Sequence, residues 1–517
     1  MTLSILIWLP LVIGLLGAIW GGKVAPKLAI LGSLAALAVA ISFVVRYDTG
    51  GGLQFVTDQM WIRELGISYS LGLDGLNVIL VLLTTVLFAG AAIFANLRAW
   101  ERPGLFYLWL GVAQTAVLGA FCAQDLILFV AFFDLMLVPF YFLTGIWGAG
   151  ERDERVRATT KLVIYTLVGS LLMLVAAVAT GVLAAEQHST DLTFSIAALT
   201  RLPLSEGSQQ WIFLCFAAAF LVKMPAFPLH GWLPDGYRAM PLPALAVFSG
   251  VLSKVAAYGF LRVVLPVFPE ASVHFQELLL LIAVASILYG SAMAFSTTNA
   301  RLVIAFSSVA QMGFITLGIF ALNEEGVQGA LLQMVNHGLV TLPLFFIVGL
   351  LAARAGGSED LRDMGGIAFR APVLASIFLI VGLATLAMPG SANFVGEFLI
   401  LLGVFRTKIV FAFVASIGVV MASVYVLRAF IRAMHNRVGP GVDPDAKEIG
   451  FGDLAVLAPL VLAILALALY PQFGLKRSEP AAQAAVAAPA FAQHGERAGI
   501  IGAAAPAGDP TTTGATP

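Results

Sequence analysis

About 20 predominantly apolar residues in a row are what a helix needs to cross the hydrocarbon of a bilayer. This chain of 517 residues reads as fourteen such runs. They fall at roughly 3–20, 28–45, 73–97, 105–121, 124–147, 162–185, 211–237, 242–262, 276–295, 301–322, 327–353, 372–407, 409–431 and 453–471. Two of them are interrupted, 211–237 by Pro225 and Pro228, and 372–407 by Pro389. A helix broken at membrane depth survives only where protein or a water-filled cavity covers the freed backbone groups. The pattern predicts an all-α polytopic membrane protein with about 14 transmembrane helices, two of them discontinuous. Composition points the same way. Only 11% of the residues are charged, against about 25% in soluble domains, so one large soluble core does not explain the chain. The first run lacks a basic leader and reads as a retained span.

Loop charge gives an orientation, because cytoplasmic loops collect Lys and Arg. Sixteen of these residues fall opposite the N-terminus and nine on the N-terminal side. The expectation is a cell inner (plasma) membrane protein with both termini outside the cytoplasm. A weak internal repeat recurs at about 170 residues: Leu143–Trp147 with Thr316–Phe320, Thr166–Val168 with Gly338–Val340, Met224–Pro225 with Met388–Pro389, and Leu261–Arg262 with Leu427–Arg428. The offset spans five helices, an odd number, so the second copy would lie upside down. Inverted repeats with discontinuous helices are a transporter pattern. The expected units are three N-terminal helices in 1–104, a five-helix repeat in 105–270 and its inverted copy in 271–437. A last helix in 438–475 and a disordered Ala/Pro-rich tail in 476–517 complete them.

Ionisable residues at membrane depth are costly, about 2.5–3.5 kcal/mol each on insertion scales, and mark function by default. Asp134 stands mid-span in A-F-F-D-L-M-L-V-P with no sequence neighbour to pair with. Lys223 precedes the first break and is its expected partner. Lys254 follows Ser253 in the next span, and Tyr258 lies one helical turn on. Glu397 sits just past the second break in M-P-G-S-A-N-F-V-G-E-F-L. His230 and His337 are the intramembrane histidines; Gln333 and Asn336 flank His337, and Ser307, Ser308 and Gln311 lie in the span before it. His230, His337 and Tyr258 are the expected relays, since imidazole titrates near neutrality. Bland roles stand beside these: a static ion pair for Asp134, a snorkelling lysine for Lys254, a hydrogen-bonded brace for Glu397, core histidines. Asp74 and Asp235, near span ends, read as turn or capping residues, and Arg428 as a residue at the cytoplasmic edge. Cys122 and Cys215 read as packing residues, two thiols being too few for a four-cysteine cluster or zinc site. No metal spacing appears, and a formal net charge of −1 leaves no footprint for nucleic acid.

V-K-M-P-A-F-P-L-H-G-W-L-P-D, S-K-V-A-A-Y-G and N-F-V-G-E-F, within residues 1–475, resemble the antiporter-like M-type membrane subunits of respiratory complex I, the proton-pumping NADH:quinone oxidoreductase. The resemblance implies a proton path through Asp134, Lys223, Lys254 and Glu397. It also implies partners in the membrane arm, neighbouring antiporter-like subunits among them. No cofactor is expected on this chain; NADH, FMN, iron–sulfur clusters and quinone would belong to partner subunits. Two departures stand out. The fifth-helix acid is usually glutamate and here is Asp134, one methylene shorter. The turn after W-L-P-D runs Gly236-Tyr237-Arg238-Ala239-Met240-Pro241. A multi-subunit cation/proton antiporter subunit is the alternative, disfavoured by Glu397 where lysine is usual, and an inert scaffold is a third reading. The expected mechanism is opening of the Asp134–Lys223 pair. At an effective dielectric of about 20, charges at about 4 Å interact by roughly 4 kcal/mol and at about 8 Å by roughly 2. Moving one charge against about 100 mV takes about 2.3 kcal/mol, a matching scale.

Overall fold

The computed structural model describes residues 2–503, with side chains described through residue 493. Among the described residues, twelve helices are long and apolar enough to cross a membrane. They are α1 (Leu3–Trp20), α2 (Val24–Arg46), α3 (Val78–Asn96), α4 (Pro103–Cys122), the kinked pair α5 (Leu126–Leu135) and α6 (Leu137–Trp147), and α7 (Arg152–His188). The two halves of the first broken span are α8 (Glu206–Lys223) and α9 (Leu233–Ala239). Next come α10 (Leu242–Val267), α11 (Gln276–Ser296), α12 (Ala300–Ile319) and α13 (Glu324–Arg354). The second broken span is α14 (Pro372–Thr385) and α15 (Ala392–Thr407), and α16 (Ile409–Met434) and α17 (Phe451–Leu469) follow. The expected spans absent from those twelve are the two broken ones.

Three features differ from the sequence reading. Residues between α2 and α3 form a hairpin of β1 (Gln54–Ile62) and β2 (Ile67–Leu73), antiparallel and turning at Gly66 with φ +62°. The run Ile67-Ser-Tyr-Ser-Leu-Gly-Leu73 alternates apolar and polar residues, the period of a half-buried strand. The fifth span is kinked after Asp134. Pro139 has no N–H to return to the Leu135 carbonyl, and the ladder opens at Met136. The tail expected to be disordered instead continues as a helix, α18 (Gln472–Ala503), through Pro480 and Pro489. Its alanines are the strongest helix formers, and it packs on α10, α13 and the short Pro269–His274 turn. The expectation for 504–517 lies outside the described residues.

The middle of the bundle is the most enclosed part. Every residue in the most apolar window of α10 is buried, and nearly all of those in α12 and α13, whereas α1, α2, α16 and α17 expose most of their surfaces. Without a strong hydrophobic force between helices in lipid, close packing must hold such a bundle together. The three enclosed helices and the two broken ones therefore form a dry frame in which polar side chains are held in place.

Candidate functional site

Lys223 ends α8 because Pro225 follows it. The Ala226 N–H reaches back to Leu221, and the orphaned Val222 carbonyl accepts from the Trp232 indole at 3.0 Å. The chain returns through a cis Phe227–Pro228 bond into α9. Lys223 is buried; its ammonium donates to the Phe133 carbonyl at 2.6 Å and lies 3.7 Å from the centroid of the Phe133 ring. The kink in the fifth span is what opens the α5 backbone to this contact. Asp134, the next residue, is half-buried; its Oδ1 has no hydrogen-bond partner, and its carboxylate lies beside the Ser170 hydroxyl on α7 and within electrostatic range of Lys223. A direct Asp134–Lys223 ion pair, expected from sequence, is therefore not formed. The backbone carbonyl takes the ammonium, and the short aspartate stem leaves its carboxylate to one side.

Lys254 is fully buried on α10. The ordinary α-helical turns around it, Ser253–Gly259, lie between two π-turns, Phe248–Leu252 and Phe260–Val264. Its ammonium donates to the Ser249 carbonyl at 2.6 Å and to Ser253 Oγ at 3.3 Å. The Ser249 hydroxyl meets Ser308 of α12 at 3.3 Å. One turn along α12, Gln311 donates to Glu397 at 2.8 Å, and Gln333 of α13 donates to the same oxygen at 3.3 Å and to Gln311 at 2.6 Å. A thread of polar groups thus runs from Lys254 to Glu397. Glu397 Oε2, Asn336 Oδ1, His337 Nδ1 and both amide atoms of Asn393 are buried without partners, so polar capacity collects at this end. Buried polar atoms ordinarily find partners, and each exception needs a reason.

Other expected residues fall elsewhere. His337 is buried within electrostatic range of Lys254, but no described hydrogen bond joins its ring to the thread. His230 stacks against Phe227 and Tyr289 and touches neither lysine. Tyr258 accepts from Arg262 at 2.8 Å and so belongs to a different network. Asp74 accepts from the Leu76 N–H, as a turn residue would, and also pairs with Arg262 at 2.5 Å. Asp235 pairs with Lys161 at 2.8 Å, beside an open recess of about 510 Å³ lined also by Arg157 and Arg238. Arg428 lies at the end of α11 over the Phe295 ring. Sequence reading missed Ser170, Ser249 and Tyr425, the last bonded to Ser307 at 3.0 Å. It also missed Arg301, a buried brace that donates to the carbonyls of Tyr237, Arg238 and Met240 and pairs with Glu359. Pro241 ends α9 and, having no N–H, leaves the Tyr237 carbonyl without its helical donor. Among the described residues, no group of three or more His, Cys, Asp or Glu could hold a metal ion.

Buried cations and a carboxylate strung between two broken helices define a membrane protein that moves ions through its own bundle. The sequence model described as NADH:quinone oxidoreductase/Mrp antiporter, TM matches residues 123–422, and the chain belongs to that family. NADH-quinone oxidoreductase subunit M of Rickettsia typhi is 34% identical over 91% of this chain and 95% of its own length. The same-named protein of Escherichia coli K12 is 38% identical over 80% of this chain and 82% of its own length. A chain of respiratory complex I from Thermus thermophilus superposes with a TM-score of 0.86 at 30% identity, covering 94% of this chain and all of that one. A chain of the Mrp complex from a Dietzia species superposes at 0.81 with 22% identity over 95% of this chain and 99% of that one, a likeness of fold.

Proposed function

We propose that this chain is a proton-translocating membrane subunit of an NADH:quinone oxidoreductase, and that its protons move along Asp134, Lys223, Lys254 and Glu397. The observation that carries the path is the row of buried polar groups from Lys254, held by the Ser249 carbonyl, past the Ser249–Ser308 hydroxyl pair to the Gln311–Glu397 hydrogen bond one turn on. The subunit has no redox centre of its own. NADH, FMN, iron–sulfur clusters and quinone belong to partner subunits, and neighbouring antiporter-like subunits pack on its lipid-facing helices. Both termini face away from the cytoplasm, and residues 271–437 repeat 105–270 upside down. Glu397, where the cation/proton antiporters usually carry lysine, favours this reading over the antiporter one.

Lys223 serves as the switch. With the Asp134 carboxylate set aside, the ammonium is held by one carbonyl and one aromatic face. A neighbouring charge that draws Asp134 toward Lys223, or away from it, changes the hold on the proton. Going from about 8 Å to about 4 Å at an effective dielectric of about 20 changes it by about 2 kcal/mol. Lys223→Ala in the assembled complex is expected to abolish NADH-driven proton pumping in membrane vesicles, with the complex still intact on native gels. Undiminished pumping in that variant would overturn the path.

A further inference from the structure

Lys254, Tyr258 and Arg262 follow one another at four-residue spacing along α10, which places them in a row. Lys254 and Tyr258 are fully buried, and Arg262 nearly so. The row points toward the N-terminal side of the bundle, away from the thread that leads sideways to Glu397. Tyr258 Oη accepts from Arg262 Nε at 2.8 Å, and Arg262 Nη2 donates to Asp74 Oδ2 at 2.5 Å. Asp74 is itself pinned. Its Oδ1 accepts from the Leu76 N–H at 3.0 Å, and its own N–H donates to Asn77 Oδ1 at 2.8 Å. The Asn77 amide in turn donates to the Gly72 and Phe121 carbonyls. Tyr47 and Cys122 lie within electrostatic range of Asp74, and Tyr47 also of Arg262 and Arg477. Helix α18 closes the end, so tightly that a Cβ on Gly75 would stand 2.2 Å from the Arg477 carbonyl.

We propose that the Arg262–Asp74 pair is a seal that keeps protons on Lys254 from escaping through Tyr258 to the N-terminal side. The proposal rests on the path through Lys254 set out above. A proton conductor with an outlet at its middle would discharge the gradient it builds. Tyr258, one helical turn on from Lys254, is the next polar side chain of the row, but its oxygen is already an acceptor for Arg262. An excess proton there would sit about 3 Å from a guanidinium that never loses its charge. Fixed arginine charges exclude protons from other membrane pores in this way. Asp74 offsets part of the repulsion, and the remainder at an effective dielectric of about 20 corresponds to roughly a tenfold slowing.

The test uses the whole complex, carrying the variant subunit, in lipid vesicles. Passive proton conductance is measured under a potassium diffusion potential without NADH, and the gradient per NADH oxidised is measured with it. R262Q is expected to raise passive conductance about tenfold and to lower the gradient per NADH. The double variant K254A/R262Q is expected to be tight again, and R262K, which keeps the charge, to leak less than R262Q. A tight R262Q complex overturns the seal while leaving the path to stand or fall on Lys223→Ala. A leak that persists in the double variant also overturns it, because the escaping protons then do not come from Lys254. Should R262Q fail to assemble, R262H carries the same test. Its leak should grow as pH rises through about 6.5 and the imidazole loses its charge; a conductance that stays low across that range overturns the seal.

Discussion

Gly329 and Gly396 let α13 and α15 approach closely enough for Gln333 to reach Glu397, and a single methyl group tests how much that approach matters. A Cβ at Gly329 would stand 2.6 Å from the Ile400 nitrogen and 2.9 Å from the Gly396 carbonyl. Both are backbone atoms, so neither can swing aside. Ordinary contact begins near 3.4 Å, so α15 must retreat by about 0.8 Å. Glu397 follows Gly396 directly and travels with it. The Gln333–Glu397 bond, 3.3 Å as it stands, would lengthen to about 4.1 Å, past the reach of an N–H···O bond. A hydrogen bond to a charged group contributes about 1.5–3 kcal/mol, and each 1.4 kcal/mol is about tenfold. Gly329→Ala should therefore lower protons pumped per NADH oxidised by about tenfold or more. The assay is proton uptake by inverted membrane vesicles, normalised to NADH consumption. Gly207→Ala is the control, since a Cβ there meets nothing within 4 Å. Wild-type pumping by an assembled Gly329→Ala complex would show that Glu397 does not need the Gln333 amide in addition to that of Gln311, and would refute the reasoning.

Three further outcomes are expected. Arg301→Met strands three backbone carbonyls and the Glu359 carboxylate at the end of α9; breaking a buried pair costs about 3–5 kcal/mol, so the detergent-solubilised complex should come apart at a lower temperature. Gly75→Ala should push α18 off the bundle and expose the partly buried Arg477 to trypsin, read as new cleavage in intact membranes. In the loop after α13, a hydrogen bond from Arg362, the largest cause, holds the Asp360 carboxylate below its usual range. An acid whose folded pKa is depressed stabilises above its unfolded pKa and loses that contribution as pH falls through the folded one. The protection of amides around Asp360 from hydrogen exchange, taken relative to the intrinsic exchange rate at each pH, should therefore hold from neutrality to about pH 4 and fall below it.

Much of this architecture could be read from the chain. The spans follow from apolar length alone, and both breaks from proline. The four ionisable residues stood out because each is costly inside an apolar run. What escaped notice has physical causes. The hairpin of β1 and β2 carries only period-two alternation, which a search for 20-residue runs passes over. Helix α18 was misjudged because few charges and several prolines resemble disorder, although alanine favours helix. Ser170, Ser249 and Tyr425 are ordinary residues for a membrane helix, and only packing turns them toward Asp134, Lys254 and Ser307. Arg301 looked like one more loop charge; its value comes from the carbonyls at the end of α9, at another place in the chain. The Asp134–Lys223 pair failed because partners inferred from charge alone ignore the backbone carbonyls that a kink exposes.

The two lysines stand in different surroundings, and that difference bears on how the path is gated. Between Lys254 and Glu397 lie the Ser249–Ser308 hydroxyl pair and the Gln311 and Gln333 amides on Glu397, so polar groups are spread along that stretch. Among the described residues no hydrogen bond joins Lys223 to Lys254. Trp232, fixed to the Val222 carbonyl beside Lys223, and Phe248, next to the Ser249 that holds Lys254, pack as an aromatic layer with ring centroids 5.7 Å apart. Phe140 packs on Phe248 at 4.8 Å from the other side. A proton cannot cross that aromatic layer without water, and water cannot enter until the rings part. Phe248 opens the first π-turn of α10, and π-turns are irregularities that recur at functional positions in helices. If the proposed path holds, the slow event is expected at the aromatic layer, where wetting would join Lys223 to the polar groups around Lys254. Asp134, half-buried beside the Ser170 hydroxyl and within electrostatic range of Lys223, is the charge whose displacement Lys223 would feel.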